Sequence, residues 1–155
     1  MAALIDLAVN SKNGHVALGS IAERNEISPQ YLEQVFASLR RAGIVKSVKG
    51  SQGGYLLKYP SSSITVASII QALEGTYYLD DEETKTEESA AGIAETIQED
   101  IVDRVNHGLD QILQNLTLAD LEESFQERQS GGQPRFESRQ SDFAHAGKPA
   151  RRFRA

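Results

Sequence analysis

The stretch that most constrains the fold of this chain runs from Ile27 to Tyr59 and has the sequence ISPQYLEQVFASLRRAGIVKSVKGSQGGYLLKY. A helix start is marked twice here, because Ser28 is a favourable N-cap residue and Pro29 suits the first helical position. Gly43 marks the helix end, since glycine commonly follows the last helical turn. The stretch therefore predicts a well-defined helix from Ser28 to the residues before Gly43.

This predicted helix has two different faces. One face carries apolar residues at helical spacing, namely Leu32, Val35, Phe36 and Leu39. The other face is mostly polar and consists of Gln30, Gln34, Ala37 and Arg41, with Glu33 at its flank. An amphipathic pattern of this kind predicts that the first face packs on a core while the second stays free to contact a ligand.

The elements on either side of this helix predict a winged helix-turn-helix. A short helix from Leu18 to Arg24 precedes it, and Ile44–Val48 and Tyr55–Tyr59 predict two strands joined by the glycine-rich turn KGSQGG. In a helix-turn-helix the second helix lies in the DNA major groove, and the hairpin behind it forms the wing. A helix pair alone is weak evidence, since such pairs also occur as plain packing units.

The chain outside the wing is predicted to be helical, apart from one loop. An apolar helix covers Ala2–Val9, and Thr65 caps a helix over Val66–Leu73 that Gly75 ends. The run DDEETKTEES, residues 80–89, is too polar to pack and predicts a solvated loop. The predicted fold class is therefore mainly α with a small β wing.

A long amphipathic helix is predicted from Ala90 to Leu116, followed by a helical turn from Leu118 to Phe125 that Thr117 can cap. Its apolar stripe is Ile93, Ile97, Ile101, Val105, Leu109, Ile112 and Leu116. Helices average about 11–12 residues, and a small winged helix has little surface to cover one this long. We therefore predict that the stripe pairs with a second copy in a homodimer. Packing on its own domain is the alternative.

The charges divide the chain into three parts. Residues 1–60 carry seven Lys/Arg against four Asp/Glu, residues 61–128 three against sixteen, and residues 129–155 six against two. The mildly basic first part is therefore the one predicted to meet a polyanion. The last part is rich in Gln, Ser, Gly and Arg, which predicts a disordered basic tail from residue 126.

Several classes of protein are excluded or disfavoured by composition. The chain has no cysteine, which excludes disulfides, thiolate nucleophiles and cysteine-held zinc or iron–sulfur clusters. No apolar run approaches the ~20 residues that span a bilayer, and no signal-peptide pattern occurs, so we expect a soluble cytoplasmic protein. His15, His107 and His145 are far apart in sequence and predict neither a metal site nor a catalytic one, so no cofactor and no enzymatic activity are expected.

The block from ISPQYLEQ to GGYLL resembles the signature of the Rrf2 family, the bacterial regulators typified by IscR, NsrR and CymR. The similarity continues through ITVASIIQALEG, and NLTLADL resembles the end of the family's long helix, so it covers about Ala2 to Leu121. The resemblance implies a dimeric winged-helix transcription factor, usually a repressor, that binds palindromic double-stranded DNA.

The resemblance also implies which residues contact DNA. In the helix they are Ser28, Gln30, Tyr31, Glu33 and Gln34, and in the wing Lys49, Gly50, Ser51, Gln52, Gly53, Gly54 and Tyr55. Glu33 matches a glutamate that in some members accepts a hydrogen bond from a cytosine amino group; a surface salt bridge is its alternative role. Lys49 stands where many relatives have a minor-groove arginine, and Tyr55 either contacts phosphate or simply packs.

Three departures from the family pattern shape the expectations. Relatives begin about ten residues earlier, so either the start codon is misassigned or this chain lacks part of its first helix and an arm that can contact DNA. Cluster-binding members carry three cysteines in the segment that is here Gly75–Ala90, and this chain has none, so it is expected to lack the cluster and to be closest to the CymR-like branch. Members of that branch respond through an enzyme of cysteine synthesis, for which the acidic loop is a candidate docking surface. The tail matches no family element.

Together these observations predict a DNA-binding domain over residues 1–75, an acidic loop over 76–89, a dimerisation helix with a final helical turn over 90–125, and a tail over 126–155. A second function remains open at this point. The same winged helix could act as a protein-interaction module, for example as a partner of a cysteine-biosynthesis enzyme, with impaired DNA binding.

Overall fold

The computed structural model describes residues 1–79 and 91–131. In chain order its elements are α1 (Ala2–Asn10), α2 (Leu18–Asn25), α3 (Pro29–Arg41), β1 (Val45–Val48), β2 (Gly54–Leu57), α4 (Val66–Glu74), α5 (Ala91–Ile97), a π-helical segment (Gln98–Asp103), α6 (Arg104–Asn115) and α7 (Leu118–Gln129), with short 3-10 turns at Ser11–Asn13 and Ser61–Ser63. The predicted class, mainly helical with one small hairpin, is confirmed.

Side-chain capping fixes the starts of the helices where the sequence predicts it. The backbone N–H of Tyr31 donates to Ser28 Oγ (3.4 Å), and Pro29 is the first residue of α3. The backbone N–H of Ser68 donates to Thr65 Oγ1 (3.1 Å) at the start of α4. These local hydrogen bonds explain why both helix starts could be located from sequence.

The core of the winged helix is built from α1 to α4 and the base of the hairpin. Its fully buried side chains come from all these parts and include Leu4, Leu7, Ile21, Leu32, Phe36, Leu39, Val45 and Ile69. The predicted inner face of α3 is thereby confirmed, with Val35 packing against the cluster at its edge. Because one side of α3 is buried in this core, the helix cannot rotate, and its other side faces a fixed direction.

The predicted helix from Ala90 to Leu116 is not α-helical throughout. Gln98–Asp103 form a π-helical segment between α5 and α6, and Leu116 lies just past the helix in an extended conformation. Apolar residues spaced four apart overshoot a full turn of an α-helix by about 40° at each step. A π-helix has a wider i→i+5 turn, so residues spaced four apart drift less around the helix axis. The repeated spacing of four therefore explains why the α-helix is interrupted here.

The segment after α6 returns to the winged helix and is held there by backbone hydrogen bonds. The backbone N–H of Val66 donates to the carbonyl of Leu116 (2.7 Å), and that of Leu118 donates to the carbonyl of Ile64 (2.8 Å). Leu118 is fully buried in the core cluster. The predicted cap of the next helix is confirmed, since Asp120 N–H donates to Thr117 Oγ1 (3.2 Å). Backbone hydrogen bonds thus join the residues at the start of α4 to those just after the end of α6.

The chain divides into two compact units, Met1–Glu122 and Glu123–Ala155. The described part of the second unit consists of the last residues of α7 and a turn at Gly131, whose φ is 79°. The helix continues to Gln129 instead of ending at Phe125, because residues 126–129 (QERQ) all have good helix propensity. The rest of the predicted tail, and residues 80–89 of the predicted acidic loop, lie outside the described residues.

None of the described helices combines the length and the apolar character that a membrane crossing requires.

Candidate nucleic-acid interface

The front of α3 presents a fixed polar surface. Ser28, Gln30, Tyr31, Glu33 and Gln34 are all exposed, and 59% of the Tyr31 surface is accessible. On the opposite side Leu32 and Phe36 are buried almost completely. The five residues of this helix for which the family resemblance implies DNA contact therefore share one free surface within the first unit.

Glu33 has the freedom that base contact would require. Across the described residues no lysine, arginine or histidine nitrogen lies within ion-pair distance of its carboxylate. The surface salt bridge considered as its alternative role is therefore not formed in this unit. A free carboxylate can accept hydrogen bonds only, and in the major groove the cytosine amino group is the matching donor.

The turn before α3 depends on a residue in a left-handed conformation. Glu26 has φ 52° and ψ 40° at the end of α2, and the N–H of Ile27 donates to the carbonyl of Ala22 (3.0 Å). Residues with a Cβ adopt this conformation at a cost of about 1 kcal/mol. This strain was not predicted from the sequence, because glutamate carries no local signal for a left-handed conformation.

The hairpin after α3 forms an antiparallel wing with a short, exposed turn. Its register pairs Val45 with Leu57 and Val48 with Gly54, so each strand has four residues. Both strands are shorter than predicted at their outer ends. In the wing turn, residues 49–53, the N–H of Gly53 donates to the carbonyl of Gly50 (3.0 Å), while residues 49–52 are exposed.

A third backbone segment joins the wing to the helical domain. Val16 and Tyr55 exchange two backbone hydrogen bonds, of 2.9 and 2.8 Å, in an isolated antiparallel bridge. Gly54 makes this approach possible, since a Cβ at that position would lie 2.4 Å from the carbonyl oxygen of Val16. A Cβ at Gly53 would similarly lie 2.5 Å from the carbonyl oxygen of Val48. Packing within the protein therefore explains why both positions are glycine, independently of any contact with DNA.

The imidazole of His15 contacts the wing turn directly. Its Nε2 lies 2.5 Å from the main-chain oxygen of Gln52, although the two residues are 37 positions apart. His15 is exposed, and neither a metal-binding nor a catalytic role was predicted for it. The contact could not have been foreseen from local spacing, because it depends on how the wing folds back over the loop before α2.

Further cations lie exposed near these elements, and of these only Arg41, on the polar face of the helix, was named from the sequence. They are Arg40 and Arg41 at the end of α3, Lys46 in β1 and Lys58 just after β2. Lys58 Nζ lies 5.6 Å from the centre of the Tyr59 ring. The clustering of seven Lys/Arg in residues 1–60 was the signal that could have identified them.

The predicted apolar stripe is largely solvent-exposed in the first unit. The exposed fractions are 67% for Ile93, 43% for Ile97, 56% for Ile101, 42% for Val105 and 48% for Ile112, whereas Leu109 and Leu116 are half-buried. Val102 lies on a different side of this helical stretch and is buried. Packing within the domain therefore uses other residues and leaves most of the stripe uncovered, which argues against the alternative of intramolecular packing.

A polar cluster holds the segment after α4 against α6. The hydroxyls of Tyr77 and Tyr78 donate to Asp110 Oδ1 (2.7 and 2.8 Å), and Asn106 exchanges two hydrogen bonds with the backbone of Leu79 (2.7 and 3.0 Å). The hydrogen bond to Asp110 raises the pKa of Tyr77, and the same bond lowers the pKa of Asp110. The start of the predicted acidic loop is thereby fixed on α6.

A comparison with protein families identifies the class of this protein. The family model described as "Rrf2: Iron-dependent Transcriptional regulator" matches residues 1–124. The chain belongs to the Rrf2 family. This confirms the resemblance seen in the sequence, and it makes the protein a DNA-binding transcriptional regulator with a winged-helix fold.

Individual Rrf2 relatives agree with this assignment. The chain is 49% identical over 78 residues to the HTH-type transcriptional regulator IscR of Cereibacter sphaeroides, covering 49% of this chain and 50% of that one. It is 37% identical over 123 residues to IscR of Yersinia enterocolitica, covering 77% and 71%. Among solved structures it is similar to CymR, the global cysteine regulator of B. subtilis, with a TM-score of 0.64, 35% identity and coverage of 77% and 87%.

The iron named in the family description does not fit the residues of this chain. A cluster held by thiolates requires cysteine, and the sequence has none. Within residues 1–79 and 91–131, His, Asp and Glu form no group of three that could hold a metal ion. An iron–sulfur centre of the family type therefore has no ligands here.

Proposed function

We propose that this Rrf2 protein is a homodimeric repressor that binds a palindromic operator and does so without an iron–sulfur cluster. The observation that carries the proposal is the exposed polar front of α3, held in a fixed direction by the buried face behind it. A helix packed in this way can enter a major groove without rearranging. Binding to chromosomal DNA would also place the protein in the cytoplasm.

In this proposal the front of α3 determines which base pairs are preferred. Ser28, Gln30, Tyr31 and Gln34 offer hydrogen-bond donors to bases or phosphates. Glu33 accepts from the amino group of a cytosine, since a carboxylate near phosphates is otherwise repelled. Its contribution is therefore to sequence preference and not to overall affinity.

The wing supplies contacts that depend less on sequence. Lys49 is exposed at the start of the wing turn and carries a charge suited to the minor groove or its phosphates. Lysine is more strongly hydrated than arginine and lacks its planar fork, so we expect weaker minor-groove discrimination than in relatives with arginine. Ser51 and Gln52 can donate to phosphate, and Gly50, Gly53 and Gly54 allow close approach of the backbone.

The exposed stripe on α5, the π-helical segment and α6 supports dimerisation. Five large aliphatic side chains that are each more than two-fifths exposed would form an unusual surface on a monomer in water. Pairing of two copies about a two-fold axis would cover them and place two α3 helices on one face. Two such helices fit successive major grooves about 34 Å apart, which is why a palindrome is expected.

The signal is proposed to arrive through a protein partner. With no cysteine available, a cluster cannot carry it. The similarity to CymR, a global cysteine regulator, supports a role in sulfur metabolism and an enzyme of cysteine synthesis as the partner. In a test, purified cysteine synthase is added to the operator complex. A change in operator affinity supports this part of the proposal, and an unchanged affinity at saturating enzyme contradicts it.

The central test is to sequence the DNA retained from a genomic library by the purified full-length protein. We expect enrichment of one palindrome, with affinity for it that falls steeply as salt rises. In vitro transcription from a promoter carrying that palindrome should then decrease when the protein is added. Retention of DNA without any enriched sequence, or no retention, would contradict the proposal.

Two variants separate the proposed roles of α3 and the wing. Glu33→Ala should reduce the preference for the operator over single-base variants by about tenfold at one position. Lys49→Ala should weaken binding to all sequences and lower the salt slope by about two, one for each protomer of the dimer. Glu23→Ala and Arg104→Ala remove exposed charges from α2 and α6 and serve as controls that should change neither quantity. Equal behaviour of Glu33→Ala and Glu23→Ala would refute the readout assigned to α3.

A further inference from the structure

The wing is held at two levels by one short segment of the chain. Val16 holds strand β2 through the two backbone hydrogen bonds to Tyr55, which is one residue from the pair that closes the hairpin. His15, the preceding residue, contacts its turn, where Nε2 lies 2.5 Å from the main-chain oxygen of Gln52. The same segment therefore restrains both strand β2 and the turn that precedes it.

The contact assigns a hydrogen-bonding role to the imidazole. A main-chain carbonyl only accepts hydrogen bonds, so Nε2 of His15 must carry the proton. This condition is met by the neutral Nε2–H tautomer and equally by the imidazolium. The other hydrogen bond in the turn, from Gly53 to Gly50, is internal and does not tie the turn to the helical domain.

The wing needs such an external restraint. Its strands have only four residues each, and an isolated two-stranded hairpin is marginal in water. Three of the six residues from Lys49 to Gly54 are glycines, and Gly50 has a φ of 131° with open space around it. A turn of this composition loses much conformational freedom when it is fixed on a ligand.

We propose that His15 is a positioning residue for DNA binding, which holds the wing turn in place so that Lys49 is presented to the operator in advance. The inference rests on the proposed function of the wing. His15 does not contact DNA in this role. Its hydrogen bond lowers the entropy that the wing loses on binding, which raises operator affinity.

Two substitutions at position 15 test the inference in the full-length protein. His15→Leu removes the donor and keeps an apolar side chain of similar reach. His15→Gln retains an N–H donor at about the same distance from the backbone. We expect the leucine variant to bind the operator about fivefold more weakly for each protomer of the dimer, the value of one net hydrogen bond, and the glutamine variant to regain most of the affinity. The salt slope should stay unchanged in both.

Hydrogen exchange of the free protein gives a readout that is independent of DNA. The amides of residues 51–53 should exchange faster in His15→Leu than in the wild type and in His15→Gln. Unchanged exchange in His15→Leu would overturn the inference. A shallower salt slope in that variant would overturn it too, because His15 would then be neutralising a phosphate itself.

Combination with Lys49→Ala separates failure of this inference from failure of the proposed function. If His15 acts through the wing, adding His15→Leu to Lys49→Ala should cost clearly less than fivefold for each protomer. If His15→Leu lowers operator affinity by the same factor in the wild type and in Lys49→Ala, the inference about His15 is contradicted and the proposed function of the wing is not. If Lys49→Ala itself leaves the affinity and salt slope unchanged, the wing does not contact DNA, and the function assigned to it and to His15 fails together.

Discussion

The ring of Tyr55 in the wing packs against the ring of Phe36 in α3, with centroids 4.8 Å apart and planes inclined by 58°. Phe36 is fully buried, and Tyr55 is half-buried beside it. A tilted aromatic pair of this kind contributes beyond the area it buries. The pair connects the element proposed to enter the major groove with the element proposed to lie near the minor groove.

The Tyr55 ring and hydroxyl can be tested separately. Tyr55→Ala should lower the free energy of unfolding by about 2 kcal/mol, less than for a fully buried ring. Tyr55→Phe keeps the ring and should leave stability unchanged in urea denaturation. If operator affinity also stays unchanged in Tyr55→Phe, the residue only packs; a loss confined to affinity would show that the hydroxyl contacts DNA.

Gly54 should be intolerant of any side chain. An alanine Cβ would lie 2.4 Å from the oxygen of Val16, so the bridge to Tyr55 would have to open. Gly54→Ala should therefore cost about 2 kcal/mol, as in other overpacked sites. Gly19→Ala in α2 is the matched control, because nothing lies within 4 Å of its Cβ position; it should stabilise by about 1 kcal/mol. Urea denaturation measures the free energy of unfolding of both variants. Equal changes in Gly54→Ala and Gly19→Ala would contradict the prediction.

Glu26→Gly should raise stability. Its φ of 52° suits glycine better than any residue with a Cβ, so the substitution should gain about 1 kcal/mol. Glu23→Gly is the same chemical change inside α2, where glycine should cost about 1 kcal/mol. In thermal denaturation we expect the melting temperature to rise in Glu26→Gly and to fall in Glu23→Gly. Destabilisation by both substitutions would show that Glu26 is not strained.

The proposed dimer depends on Ile101 and Val105. The double substitution Ile101→Asp with Val105→Asp places two charges on the exposed stripe and should yield monomers in sedimentation equilibrium. His107→Asp with Gln111→Asp adds two charges at the same spacing, at exposed polar positions on the same helix. This control should sediment as the wild type. A dimer that persists in the first variant would refute the assignment of the stripe.

The Tyr77–Asp110 hydrogen bond should make stability depend on pH. The pKa of Asp110 is lowered in the folded protein, so its contribution is present above the ordinary value near 4 and is lost as pH falls through the folded value. The pKa of Tyr77 is raised, so the contribution is also lost as pH rises above about 10. Tyr77→Phe should therefore destabilise at pH 7 and less so at pH 3.

The control for this prediction is Tyr59→Phe. Tyr59 is 55% exposed and its described contact is with Lys58, not with a carboxylate. Its substitution should leave the pH dependence of urea denaturation as in the wild type. A Tyr77→Phe effect that is the same at pH 7 and pH 3 would show that the hydrogen bond to Asp110 does not stabilise the fold.

Much of α3 was predictable because its signals are local. Ser28 and Pro29 define its start, Gly43 follows its end, and the period of its apolar residues identified the buried face. The same holds for the caps at Thr65 and Thr117. In each case the hydrogen bond or the conformation involves residues at most four positions apart, so the pattern in the sequence is sufficient.

What depended on distant segments was not predictable. The contact of His15 with Gln52 and the bridge between Thr65 and Thr117 join parts of the chain that are 37 and 52 positions apart. The π-helical segment was also missed, because a spacing of four suits an α-helix locally and conflicts with it only when several turns accumulate.

The sequence by itself therefore determined the class of this protein, the buried and free faces of α3, and the absence of cysteine ligands for a cluster. Only the tertiary structure decided how the wing is attached, through Val16, the Tyr55–Phe36 ring pair and the imidazole of His15. The physical reason is that helix caps and amphipathic periods are encoded by near neighbours, whereas the wing is fixed by backbone and side-chain contacts that exist only after the chain has folded back on itself.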